Sequence, residues 1–102
     1  MSVNAIVELV KNDASIDAVF MQVCESAGGL RHPVEAVAKA VKAIRPNIMV
    51  IADGITAVGV EKVDTTNIDA LISGSQKALM LPPGLAFIGL NAKALEIIEM
   101  VA

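Results

Sequence analysis

Asp69-Ala70-Leu71-Ile72-Ser73-Gly74-Ser75-Gln76-Lys77-Ala78-Leu79 passes from an acid through a short aliphatic run into small and polar residues, and then to a lysine. An apolar run this short, bounded by turn-formers, predicts a buried strand over residues 69–73 rather than a helix. Pro82-Pro83-Gly84 marks a tight bend. Leu85-Ala86-Phe87-Ile88-Gly89 then predicts a second strand over 85–89, antiparallel to the first because the bend is short. Upstream, Ile48-Met49-Val50-Ile51-Ala52 predicts a strand that ends at Asp53. Before it, Val34, Val37, Val41 and Ile44 recur at helical spacing, with Glu35, Lys39 and Lys42 off that stripe. Pro33 suits the first helical position, and Arg45-Pro46-Asn47 stops the helix.

Ala18-Val19-Phe20-Met21 centres an earlier strand over 18–22, followed by the loop Ser26-Ala27-Gly28-Gly29. Ile6, Leu9 and Val10 share one face of a short first helix, with Ser2 as its cap. Leu95, Ile98 and Val101 do the same for a last helix from Asn91. Residues 55–67 read as a short turn or helix and a connection. Alternation of strand, helix and strand implies an α/β fold with a mostly parallel sheet, flanking helices and right-handed crossovers. Residues 18–22, 48–52 and 69–73 are expected as parallel neighbours, with 85–89 antiparallel beside the last. No repeat, low-complexity tract or linker interrupts residues 1–102, so no internal domain boundary is expected.

A chain of 102 residues makes one small domain. It is 55% hydrophobic and 19% charged, with a mean hydropathy of +0.66. Phe20 and Phe87 are its two aromatics, so the core must be aliphatic. So much aliphatic content implies strands covered on both faces, and surface meant for something outside this chain. The net charge of −3 and the lack of a basic run speak against nucleic acid as a partner. A single cysteine, Cys24, cannot make an internal disulfide and fits a reducing cytoplasm. Met1-Ser2-Val3-Asn4 has no signal-peptide character, and Pro82-Pro83-Gly84 breaks the longest apolar stretch, so no membrane span is expected. One histidine and one cysteine are too few for a metal site, so no metal is expected; His32 reads as a solvent-exposed helix-start residue and Cys24 as a small buried hydrophobe.

In open α/β sheets, ligands bind beyond the carboxyl ends of the strands. Three of those ends carry Glu25-Ser26, Asp53 and Gln76-Lys77. A lysine after one strand and an acid after the preceding one suit pyridoxal 5'-phosphate. The amine can form a Schiff base with the cofactor aldehyde, and the acid can pair with the protonated ring nitrogen.

These residues resemble the class V aminotransferases, fold type I pyridoxal phosphate enzymes. The likeness is nearest to the alanine–glyoxylate and serine–glyoxylate aminotransferases and the soluble hydrogenase small subunit. It runs from about Ala18 to Asn91 and is strongest from Asp69 to Leu79, with Pro82-Pro83-Gly84. It implies that Lys77 is the catalytic Schiff-base lysine, Gln76 a ligand of the cofactor phosphate, and Asp53 the partner of the ring nitrogen. It also implies that Ile55 packs on one ring face and that Ser26 bonds near the ring hydroxyl. Glu25-Ser26-Ala27-Gly28-Gly29 matches the family's loop only in part, because Ala27 and Gly28 replace hydroxyl residues.

The implied reaction moves an amino group between an amino acid and a 2-oxo acid such as glyoxylate or pyruvate. A lyase of the same fold, or a non-catalytic interaction domain on the same scaffold, stays open. Gln76 before Lys77 argues against a desulfurase, where His is usual. The family's upstream segment supplies most of the phosphate cup and a stacking aromatic, whereas this chain has no Trp or Tyr. The family's C-terminal domain supplies the arginine that grips the substrate carboxylate. The chain is therefore expected to be the central piece of the large domain: an excised piece, a proteolytic remnant or a truncated reading frame. Alone it should be inactive and should self-associate as a homo-oligomer.

Overall fold

A computed structural model of the chain describes residues 3–25, 30–55, 62–75, 79–80, 82 and 84–101, with only the backbone described at 25, 30, 100 and 101. Three helices, α1 (Val3–Asn12), α2 (Val34–Ile44) and α3 (Ala92–Val101), accompany β1 (Ala18–Gln22), β2 (Cys24–Glu25), β3 (Leu30–Arg31), β4 (Met49–Asp53), β5 (Ala70–Gly74) and β6 (Ala86–Leu90). The main sheet has the order β1-β4-β5-β6. β1 pairs parallel with β4 and β4 parallel with β5, while β6 returns antiparallel to β5. This is the mostly parallel α/β sheet with flanking helices that the alternation of elements predicts.

β4, β5 and β6 each start one residue later than expected; at β4, Ile48 belongs to the turn that ends α2. Its amide donates to the Arg45 carbonyl at 3.1 Å. The shift brings Asp53 into the ladder, level with Gln22 on β1 and Ile72 on β5.

The core lies between the sheet and α1 and α2. Val34, Val37, Ala38 and Val41 of α2 are fully buried against Val50 and Ala52 of β4, Met21 of β1 and Val10 of α1. The i, i+3, i+4, i+7 stripe of α2 therefore points where its spacing demands. Pro33 sits one place outside the helix, at its N-cap. Its lack of an N–H costs nothing there. Ser2, expected as the cap of α1, lies outside the described residues.

Lys42, off the apolar stripe, is bonded to Asp69. Three expectations need correction. His32 is half-buried rather than exposed. Its amide donates to the Val23 carbonyl at 2.8 Å and closes a small hairpin in which Cys24 pairs with Arg31. Cys24 is only half-buried, packed against the core from β2. Leu9, Leu95 and Ile98 face outward, and Ala94 is the buried residue of α3 among the described side chains.

Coverage of both strand faces is incomplete. Phe20 on β1 and Phe87 and Ile88 on β6 are exposed. Among the described residues, the helices cover one face of β1 and β4, where Met21, Val50 and Ala52 are buried, while every residue of β6 except Leu90 is exposed.

Candidate active site

The carboxyl ends of β1, β4 and β5 lie at one end of the sheet. Asp53 closes β4, between Gln22 and Ile72. Its backbone is held from both sides: the Val23 amide donates to the Asp53 carbonyl at 2.9 Å, and the Gly54 amide donates to Ile72 at 2.8 Å. Val50 and Ala52 point into the core, so Asp53 alternates onto the opposite face, where it is half-buried. The Ile55 amide donates to Asp53 Oδ1 at 3.1 Å, an Asx-type turn that fixes one carboxylate oxygen. Among the described residues no donor reaches Oδ2. Ile55 itself is half-buried at the turn that follows the strand.

Ser26, Gln76 and Lys77, the other expected site residues, lie outside the described residues. The segments that lead to them are described. Glu25 ends β2 of the hairpin that springs from β1, and Gly74 ends β5 opposite Ala86.

After Gly74, Ser75 is fully buried and makes three bonds. Its amide donates to the Leu85 carbonyl at 3.0 Å. Its hydroxyl donates to the Pro82 carbonyl at 2.7 Å and accepts from the Leu85 amide at 3.4 Å. Within the span so closed, Met80 has a φ of 59°, a left-handed conformation that costs a non-glycine residue about 1–2 kcal/mol. Gly84, at a φ of 145°, takes a conformation that only glycine adopts readily. Reading the sequence missed Ser75. Its signal is a small hydroxyl residue at the end of an apolar strand, facing a Pro-Pro-Gly return.

A second polar cluster stands at the other end of the sheet, where β5 begins. Asp69 is buried. Its Oδ2 accepts from Lys42 Nζ at 2.6 Å and from the Val50 amide at 2.8 Å. Its Oδ1 accepts from the Asn91 side chain at 2.8 Å. Lys42 Nζ also donates to the carbonyls of Ile48 at 2.7 Å and Pro46 at 3.3 Å, so its three protons are used. Burial pushes the Asp69 carboxyl up. The Lys42 ammonium, the Val50 amide and the Asn91 amide together outweigh burial and hold it below the ordinary aspartate value. Asn91 also caps α3, accepting from the Ala94 amide at 2.9 Å. One carboxylate thus links α2, β4, β5 and the start of α3.

The protein-family model for aminotransferase class-V matches residues 2–101. The chain belongs to the class V aminotransferase family. An uncharacterised aminotransferase of Helicobacter pylori is 54% identical over 97 residues, which is 95% of this chain and 26% of that relative. The L-aspartate–glyoxylate aminotransferase of Paracoccus denitrificans is 36% identical over 77 residues, 74% of this chain and 19% of that protein. The solved structure of ureidoglycine–glyoxylate aminotransferase from Bacillus subtilis superposes with a TM-score of 0.89 at 27% identity, covering 98% of this chain and 26% of that one. This class V aminotransferase chain thus spans about a fifth to a quarter of the length of these relatives.

Proposed function

We propose that this chain is the part of a pyridoxal 5'-phosphate-dependent aminotransferase that holds the cofactor's reactive side. The parent would move an amino group between an amino acid and a 2-oxo acid such as glyoxylate or pyruvate. The observation that carries this reading is Asp53. A half-buried carboxylate ends β4, with Oδ1 fixed by the Ile55 amide and Oδ2 unengaged among the described residues. It stands one strand from the segment that leads into Gln76-Lys77. An anionic acceptor held by its own turn fits a protonated pyridine nitrogen. Family membership and the glyoxylate-named relatives support the substrate class.

When bound, the cofactor supplies a ring that accepts electrons from the substrate carbon. The residues of this chain would hold it. Asp53 Oδ2 would keep the proton on the ring nitrogen, and Ile55 would pack on one ring face. Lys77 would provide the amine that attaches the cofactor, Gln76 a phosphate contact, and Ser26 a bond near the ring hydroxyl. Residues 1–102 would form one piece of the large domain. Without the rest of the phosphate cup and a substrate-binding arginine, this piece alone would give no turnover, because positioning supplies much of the rate.

The open faces at Phe20, Phe87 and Ile88 favour a homo-oligomer. One half-buried, unpaired cysteine favours the cytoplasm, and no helix among the described residues is long and apolar enough to cross a membrane.

Borohydride reduction of the cofactor-loaded, full-length protein, followed by peptide mapping, tests the reading. The label should sit on Lys77, vanish in Lys77→Ala and survive in Lys39→Ala. A label on another lysine, or none, would overturn it.

A further inference from the structure

We propose that Lys93 is a site of acylation: its side-chain amine takes the acyl group of a small acyl phosphate that enters the cavity beside it. Lys93 lies in the first turn of α3, two residues after Asn91, and is half-buried. With Asn47, Glu96 and Ile97 it lines a cavity of about 320 Å³. Asn47 stands between Pro46 and Ile48, whose carbonyls take protons from Lys42 Nζ at 3.3 and 2.7 Å. The Lys42 ammonium is therefore held close to the cavity wall, on the side of α2.

Two lysines converge on Asp69, and one of them is paired with it. Asp69 Oδ2 accepts from Lys42 at 2.6 Å, and Oδ1 accepts at 2.8 Å from Asn91, the cap of the helix that carries Lys93. Among the described residues, no carboxylate lies within ion-pair distance of Lys93. Glu96, exposed one turn further along α3, is an acid on the cavity rim that stays beyond that distance. An amine so placed gains by losing its proton. Burial disfavours its charged form and the Lys42 ammonium repels it; these outweigh the attraction of Asp69 and hold Lys93 below the ordinary lysine value.

A desolvated lysine beside another cation is an activated nucleophile. Its nitrogen lone pair attacks the acyl carbon and the N–C bond forms. The C–O bond to phosphate breaks, phosphate leaves with the electron pair, and the surplus proton on nitrogen passes to water. The amide product is uncharged, so the repulsion from Lys42 ends. Alkylation leaves a cation and would not end it, which is why the site suits acyl donors.

Full-length protein is treated with acetyl phosphate, and each lysine is followed by peptide mass mapping. At neutral pH, Lys93 should react at least about threefold faster than exposed Lys39, a little less than one neighbouring unit charge achieves through water. The advantage should shrink as pH rises toward about 10.4, where an ordinary lysine is itself half deprotonated. Lys42→Met removes the repelling charge and leaves the attraction of Asp69 unopposed, so Lys93 should slow toward the rate of Lys39. Because that variant also weakens the fold, Lys93→Gln gives a second reading as an uncharged stand-in for the acylated side chain. Its urea midpoint should exceed that of Lys93→Arg, which keeps the charge. Lys93 reacting no faster than Lys39, an advantage that does not change with pH, or Lys93→Gln no more stable than Lys93→Arg would each overturn the inference.

Discussion

Asp69 and Asp53 lie on neighbouring strands at opposite ends of one sheet, and the fold treats them differently. Asp69 is buried and accepts bonds from an ammonium, a backbone amide and a side-chain amide. Asp53 is half-buried and, among the described residues, accepts one bond, from the turn that follows it. A carboxylate with its acceptor capacity filled by its own chain is a fastening. A carboxylate fixed through one oxygen only has capacity for a group from elsewhere. Sequence places Asp53 after an aliphatic strand and Asp69 before one, but does not say how many bonds each accepts. Partner count and burial separate them.

The largest effect that would sharpen this contrast is on stability. Lys42→Met should lower the unfolding free energy by about 3 kcal/mol or more, because it strands a buried carboxylate with its remaining neutral donors. Urea denaturation at neutral pH measures it, and a loss under about 1 kcal/mol would make Asp69 no more than a surface acid.

A second test follows the proton. The Asp69 carboxyl is more acidic folded than unfolded. Its contribution is therefore fully present above the ordinary aspartate value of about 3.9 and is lost as pH falls through the lower folded value. Without Lys42, two of the causes that lower it are lost, so the carboxyl is less acidic in the folded variant than in the folded wild type, and the gap between wild type and Lys42→Met should narrow as pH falls from about 6 to 3. A gap constant across that range would break the comparison.

The smallest effect is the most discriminating. Asp53→Asn should change stability by no more than about 0.5 kcal/mol, since the amide oxygen can still accept from Ile55 and no ion pair is lost among the described residues. A cost approaching that of Lys42→Met would make Asp53 a fastening too, and would weaken its assignment to a ligand.

Much of this fold is legible in the sequence because its determinants are local. The period of Val34, Val37 and Val41 fixes α2 and its buried face. The short aliphatic runs fix the strands, and alternation with helices fixes their direction. What escapes notice is non-local or polar. The Cys24–Arg31 pairing rests on two residues in each strand, too few for a pattern. Nothing in the sequence marks the bond of Lys42 to Asp69, 27 positions away, because the sheet brings the two together. Leu95 and Ile98 show helical spacing, yet periodicity says which residues share a face and not whether anything covers it. At the site, Asp53 and Ile55 are brought together by a single turn and were legible from residue type and place. Ser75 was not, because its bonding depends on the Leu85 amide, ten positions away.

The antiparallel return of β6 has a consequence for the order of folding. Gly74 and Ala86 are twelve positions apart, whereas Ala18 and Met49 on β1 and β4 are thirty-one apart. Closing the shorter loop costs about 0.8 kcal/mol less chain entropy. The β5–β6 hairpin should therefore pair early and β1 join late, with φ-values high at Leu71 and Ile88 and low at Val19. The end of the sheet at Gly74 and Ala86 would then be set by a local event, before the strands around it are in place.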